Sequence, residues 1–556
     1  MRLNRSCGVL AHPSSFPGDY GIGDFGSGAY EFVDFLAAAK QSVWQVLPLG
    51  PTSYGDSPYQ SFSSFALNHY LLGPDELRKM GYLNKSDLEE KPEFDPRKID
   101  YGEMIEYKTG LFGKAHAAFK LNALPSQKRR FVKFCKENAW WLEDYALFVS
   151  LKKFFLEERR EQFEPVELVA YRETNSDAMT EDQLNDYFYG AVWNSWPKEL
   201  ASRNKAAVAS KRAELAEEIE LNKFLQFECA RQWQGVKKYA NAKGVSIVGD
   251  IPIFTAMDSS DVWANPELFC LDGRGRPISV AGVPPDYFSE TGQLWGNPLY
   301  DWEAHKQTGY DWWAKRITAT LANVDIIRID HFRGFESFWA VPYGEKTAEN
   351  GKWTKGPGRD FFNAIDEKLG HLPIIAEDLG VITEKVNKLR LSFGLPGMKV
   401  LQFAFGPDGS GAYIPHNFSD DNIVVYTGTH DNDTTSGWYE KADGEEKDYF
   451  RRYLNVSGED APWDMIRLAY GSVAKLAVVP IQDVMGLSGG DRMNLPGEPS
   501  GNWQFRYTSD MLERKFAERL AYLSVLFYRQ PEADKLELIA ANEKASETPK
   551  EKKDKA

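Results

Sequence analysis

The sequence predicts a (β/α)8 barrel carrying large, mainly helical insertions. Three observations lead there. Eight short apolar runs recur along the 556 residues. Most lack polar alternation, as strands covered on both faces do. Helix-patterned segments lie between several of them, and several runs end in ionisable residues, as barrel strands do where they reach the functional face.

The runs read, in order, CGVLAH (7–12), VWQVLPL (43–49), VSIVGDIPI (245–253), DIIRID (325–330), PIIAED (373–378), MKVLQFAF (398–405), IVVYTGTHD (423–431) and LAVVPIQDV (476–484). After the first, GSGAYEFVDFLAAAK sets Phe32, Val33, Leu36 and Ala39 on one helical face. Before the third stands IELNKFLQFECARQWQGVKKYAN, which Gly244 is placed to stop. About 195 residues, 50 to 244, separate the second and third runs, far more than a loop. Segments such as LEERREQFE and SKRAELAEEIE mark this as an inserted helical subdomain. A second insertion is expected at about 255–322. Residues 1–540 then form one barrel unit, and the charged stretch 541–556 is expected to be a solvated tail.

Composition narrows the function. The net charge is −15, with no long basic stripe, so nucleic acid is not the expected partner. Cys7, Cys135, Cys229 and Cys270 are scattered and form no CxxC pair, which argues for a reduced compartment and against structural zinc. No apolar run reaches 18 residues, and the N-terminus lacks the apolar stretch of a signal peptide. These features lead us to expect a cytoplasmic protein. Aromatic residues make up 14% of the chain. Rings populate any core, but they also stack on the flat apolar faces of sugars.

Three carboxyl groups end barrel runs. Asp330 closes the fourth, Glu377 the fifth and Asp431 the seventh. Strand alternation puts Ile326, Arg328 and Asp330 on one face, Ile375 and Glu377 on one face, and Thr427, Thr429 and Asp431 on one face. Retaining cleavage of a glycosidic bond needs two carboxyl groups about 5–5.5 Å apart, one attacking and one protonating. Neighbouring strand tips, about 4.8 Å apart, supply that gap. A guanidinium favours an ionised nucleophile, so Arg328 suits Asp330. A nearby carboxylate and a dry pocket hold a proton on Glu377. A third carboxylate stabilises an oxocarbenium-like transition state. Singly, each segment has an ordinary explanation: RID as a structural ion pair, AED as a helix cap, HDND as a turn or calcium loop. His331 and His430 adjoin the carboxyl groups, whereas His116 and His305 read as surface or packing residues.

The motifs WQVLPLGPT, YGDSPYQSFSSFALN, GDIPIF, GVPPDYFSETGQLWGNPLY, RIDHFRGF, IIAEDLG, GTHDNDT and RMNLPGEPSGNW closely resemble those of the 4-α-glucanotransferases. These amylomaltases and disproportionating enzymes form glycoside hydrolase family 77 of the α-amylase superfamily. The resemblance covers about residues 5 to 530. It implies a TIM barrel that moves α-1,4-glucan segments between maltooligosaccharides. Asp330 would be the nucleophile, Glu377 the general acid/base and Asp431 the transition-state stabiliser. Arg328, His430 and Asp250 would hold the donor sugar and the nucleophile. GDIPIF lacks the histidine that α-amylases carry in that motif, which favours the transferase branch and removes one motif where bound calcium would be expected. No cofactor or metal is implied.

The same resemblance makes GVPPDYFSETGQLWGNP, residues 282–298, a lid. Asp286, Gln293 and Asn297 would touch sugar, and Tyr287, Phe288 and Trp295 would lie within it. A Pro-rich surface loop is the alternative. Ser57 and Tyr59 would be acceptor-side contacts, although Gly55, Asp56 and Pro58 also build a turn there. Asn502 and Trp503 resemble a further sugar-contacting pair. Two other functions stay open at this point: an α-amylase-type hydrolase with the same three carboxyl groups, and a catalytically inactive glucan-binding protein.

Overall fold

The computed structural model describes residues 3–53, 55–162, 192–285, 289–406, 410–498 and 500–536. Twelve strands occur among them: β1 (Ser6–Leu10), β2 (Val43–Gln45), β3 (Ser246–Pro252), β4 (Ser279–Val283), β5 (Gln293–Pro298), β6 (Ile326–Asp330), β7 (Ser337–Pro342), β8 (Lys352–Lys355), β9 (Ile374–Ala376), β10 (Gly397–Val400), β11 (Ile423–Tyr426) and β12 (Leu476–Pro480). Eight form one parallel sheet in the order β10-β11-β12-β1-β2-β3-β6-β9. Its ends meet where Ala376 N donates to Pro396 O at 2.9 Å, which rolls the sheet into the barrel. All eight apolar runs supply one barrel strand each.

The strands are buried on both faces, which explains why their sequences do not alternate. Val9, Trp44, Ile247, Ile327, Ile375, Val424 and Val478 exclude solvent entirely. Strand β1 approaches β2 so closely that a Cβ on Gly8 would lie 2.3 Å from Val43 O. The helix Ser27–Ala38 follows β1, and Phe32, Val33 and Leu36 bury its expected face. The 27-residue helix Ala216–Ala242 leads into β3. Gly244, at φ +77°, ends it: Gly244 N donates to Asn241 O and Val245 N to Ala240 O, a Schellman closure.

Among the described residues between β2 and β3 stand the helices Tyr101–Asn122, Pro125–Glu137 and Ala139–Gln162. Residues 163–191 and the charged 541–556 stretch lie outside the described residues. His305 is fully buried and His116 nearly so; both are packing residues. Among the described residues, no helix is long and apolar enough to cross a membrane.

The second insertion differs from expectation. Its strands β4 and β5 join β7 and β8 in a four-stranded antiparallel sheet, ordered β5-β4-β7-β8. A further segment, after β6, therefore belongs with it. The helix Asp311–Asn323, counted with the insertion above, packs against β3 and β6 as a barrel helix.

Candidate active site

Strand register brings two of the candidate carboxyl groups together. Arg328 on β6 is paired with Asp250 on β3 and with Ile375 on β9, and Ile329 is paired with Ala376. One step further, Glu377 N donates to Ile329 O at 3.0 Å, and Phe332 N donates to Glu377 O at 3.1 Å. The same register sets Glu377 beside Asp330 on neighbouring strands, whose spacing is about 4.8 Å.

Arg328 is buried and bridges two carboxylates. One nitrogen, Nη1, bonds Asp250 Oδ2 and lies 3.0 Å from Asp330 Oδ1. Its Nε meets Met398 Sδ of β10 at 3.4 Å. Burial opposes the guanidinium charge, but Asp250 and Asp330 outweigh it and raise its pKa. Asp250 also accepts from Tyr59 OH at 2.7 Å. Its other oxygen, Oδ1, is buried with no partner among the described residues. Burial first, and then the Asp330 charge, raises Asp250 above the ordinary carboxyl range.

Glu377 is held by main-chain donors. His331 N reaches Oε2 at 2.7 Å and Leu379 N reaches Oε1 at 2.8 Å. Burial, and next the charge of Asp330, pushes its pKa up to about 8 against those two donors and Arg328. The two neighbouring carboxyl groups therefore differ, Glu377 biased towards its protonated form and Asp330 ion-paired to Arg328. His331 takes an αL backbone, φ 52°, that turns its N–H onto Glu377 Oε2.

Asp431 reaches the site by another route. Strand β11 ends at Tyr426, so the expected alternation through Thr427, Thr429 and Asp431 does not exist. Instead Asn432 Oδ1 accepts from Thr429 N and from Thr429 Oγ1, closing a turn that presents Asp431. The exposed carboxylate lies 3.3 Å from His430 Nε2 and accepts from Asn494 Nδ2 at 2.7 Å. Arg492 holds the Asp431 carbonyl at 2.9 Å. Burial lowers the His430 pKa, leaving a neutral ring stacked on Tyr59 with centroids 4.9 Å apart. Trp503 lies 5.9 Å from Tyr59 and 6.0 Å from His430, completing an aromatic wall.

The remaining candidates divide. Trp295 stands edge-on to His331 at 4.8 Å and donates to Gln293 Oε1. Asn297 is buried and accepts from Gln60 Nε2, which also reaches Trp295 O. Ser57 accepts from Tyr59 N within a turn through Gly55 (φ 81°) and Asp56 (φ 58°), so the turn reading holds. Asn502 bonds within its own loop: Leu495 N donates to its Oδ1, and its Nδ2 donates to Leu495 O and Glu498 O. Asp286, Tyr287 and Phe288 lie outside the described residues. No strand or helix period singles out Asn494 and Arg492, which bond Asp431, or Gln60, which donates to Asn297. Among the described residues, no group of three or more His, Cys, Asp or Glu side chains is arranged to hold a metal ion.

A family model described as 4-alpha-glucanotransferase, glycoside hydrolase family 77, matches residues 11–512. The chain belongs to this family. A 4-alpha-glucanotransferase of Synechocystis is 47% identical over 532 residues, covering 95% of this chain and 99% of the relative. One from Thermus thermophilus is 45% identical over 527 residues, 94% of this chain and 98% of its own. Among solved structures, the amylomaltase of Streptococcus agalactiae, in complex with acarbose, superposes with a TM-score of 0.85 at 37% identity. That match covers 95% of this chain and all of the amylomaltase. The barrel and the near-complete spans agree with the (β/α)8 fold expected of the family.

Proposed function

We propose that this member of the 4-α-glucanotransferase family moves α-1,4-glucan segments by double displacement, with Asp330 as nucleophile and Glu377 as acid/base. The observation that carries this reading is the register that sets Glu377 beside Asp330, with Arg328 paired to the latter. An Asp330 oxygen attacks the anomeric carbon while the Glu377 proton passes to the departing 4-oxygen. The reducing-end fragment leaves, and the donor segment stays as an ester on Asp330. An acceptor glucan then gives its 4-hydroxyl proton to Glu377 as its oxygen takes the anomeric carbon, freeing Asp330.

The supporting groups act on charge and water. Asp431, braced by Asn494, faces the positive charge that develops on the ring. Asp250, Arg328 and His430 hold the donor sugar, Tyr59 meets the acceptor, and the 282–298 segment keeps water from the ester until a sugar arrives. The substrates are maltooligosaccharides and longer α-1,4-glucans. Incubation with maltotriose followed by product sizing tests the reading. Glucose together with longer oligomers supports transfer. Rising reducing ends without longer products would instead make the protein a hydrolase.

A further inference from the structure

The small antiparallel sheet has two faces, and the catalytic cleft uses one. On that face Trp295 meets His331, and Phe338 packs on Phe254 with ring centroids 6.0 Å apart. Register defines the other face. Gly282 is opposite Leu294 on one side and Trp339 on the other, and Trp339 is opposite Trp353. Val280 and Val341 form the next row. Ile278 and Tyr343 extend it, joined by Tyr343 N donating to Ile278 O at 3.2 Å. The centre is covered by Ala348, whereas Leu294, Trp353, Tyr343 and Ile278 are exposed at its margins.

Trp353 is the most specific feature of this face. It is 43% exposed, yet the Arg333 guanidinium beneath it is only 5% exposed and lies 3.8 Å from the ring centroid. One face of the indole is therefore occupied by Arg333, and the other is open. Trp339 stands edge-on at 5.2 Å. Both rings are held in place. Trp339 Nε1 donates to Ala348 O at 2.8 Å, and a Cβ on Gly351 would lie 2.1 Å from that nitrogen. A rigid apolar plate loses little freedom on binding.

The plate is tied to the catalytic centre. Arg333 stands three residues after Asp330, and its Nη1 donates to Val381 O, four residues after Glu377. Trp353 therefore rests on the two segments that carry the nucleophile and the acid/base. Lys355, two residues along the strand on the same face, and Glu349 and Asn350 of the preceding turn are exposed. A protein partner would have to desolvate those charges, and Lys and Glu are depleted in interface cores. A neutral polyol can stack on the indole and hydrogen-bond them where they stand.

We propose that Trp353, flanked by Trp339, is a sugar-stacking platform outside the cleft, which holds a distant part of a long α-1,4-glucan whose reacting part lies at Asp330. The platform rests on the transfer reading, and the two are separable. Disproportionation of maltotriose by the unmodified protein tests the reaction. The ratio of kcat/KM for amylose to that for maltotriose tests the platform. Trp353→Ala should lower this ratio about fivefold, the scale of one aromatic stacking contact. Trp353→Tyr, which keeps a ring, should recover most of it. In an amylose-containing native gel, Glu377→Gln should be retarded more than Glu377→Gln carrying Trp353→Ala. Should Trp353→Ala melt early, Trp353→Gln decides on the same ratio, since a flat amide still covers Arg333. An unchanged ratio overturns the proposal. So does sedimentation showing that Trp353→Ala dissociates an oligomer, which would make this face a contact between copies.

Discussion

Arg328 joins Asp250 and Asp330 through a single nitrogen, so Asp330 shares its counter-ion with a second, more deeply buried carboxylate. This arrangement separates the proposed role of Asp330 from the stability of its surroundings. With Asp330→Asn, Arg328 keeps its Asp250 partner and no buried charge is stranded. Activity on maltotriose should fall by about 10⁴-fold or more, the loss typical of removing a covalent nucleophile. The melting temperature should change little. Kinetics and calorimetry on the purified variant check both.

With Glu377 as the proposed acid, its titration should set the alkaline limit of activity. Its pKa is pushed up to about 8, and the first step needs the protonated form. The kcat/KM for maltotriose should hold through neutrality and decline as pH rises past that value. Substituting Glu377→Gln should remove the limb together with most of the activity. A full pH profile measures it.

The same shift makes a stability prediction. An unfolded glutamate titrates near about 4.3, whereas folded Glu377 titrates near 8. Between these values the folded chain binds the extra proton. The group therefore costs nothing below the lower value and destabilises progressively as pH rises through the higher one. Raised Asp250 acts in the same direction. Glu377→Gln should thus melt on the order of 1–2 °C above the unmodified protein at about pH 9, with the gain shrinking towards about pH 5. Scanning calorimetry at both pH values checks the trend.

Asn494 fixes Asp431 through one hydrogen bond of 2.7 Å on an exposed loop. Asn494→Ala should lower kcat about tenfold, the scale of losing one positioned polar group, with little change in melting temperature. A KM effect without a kcat effect would mean that Asp431 binds substrate in the ground state instead.

Much of this was legible in the sequence because its signals are local. An unbroken apolar run such as IVVY or LAVVP marks a strand covered on both sides, and the carboxyl groups of RID and AED follow at the strand ends. Asp431 was found for the wrong local reason, since β11 stops at Tyr426 and a turn presents the side chain. The four-stranded sheet escaped because its strands come from segments on either side of β6, and pairing of Gly282 with Trp339 leaves no trace in either segment alone. Asn494 and Asp431 meet across 63 residues, and Asn502, beside Trp503, turns inward to its own loop. Such partners are set by tertiary folding, not by periodicity.

The central claim is that Asp330 becomes the glycosyl ester while Glu377 handles the proton. It is tested most directly by mass spectrometry of Glu377→Gln incubated with an α-maltotriosyl fluoride donor. Fluoride needs little acid to leave, and without the carboxylate at 377 the second step lacks its base. The account predicts a maltotriosyl mass on the peptide containing Asp330. The same mass on the peptide of Asp431 or Asp250, or no adduct while fluoride is released, would contradict it.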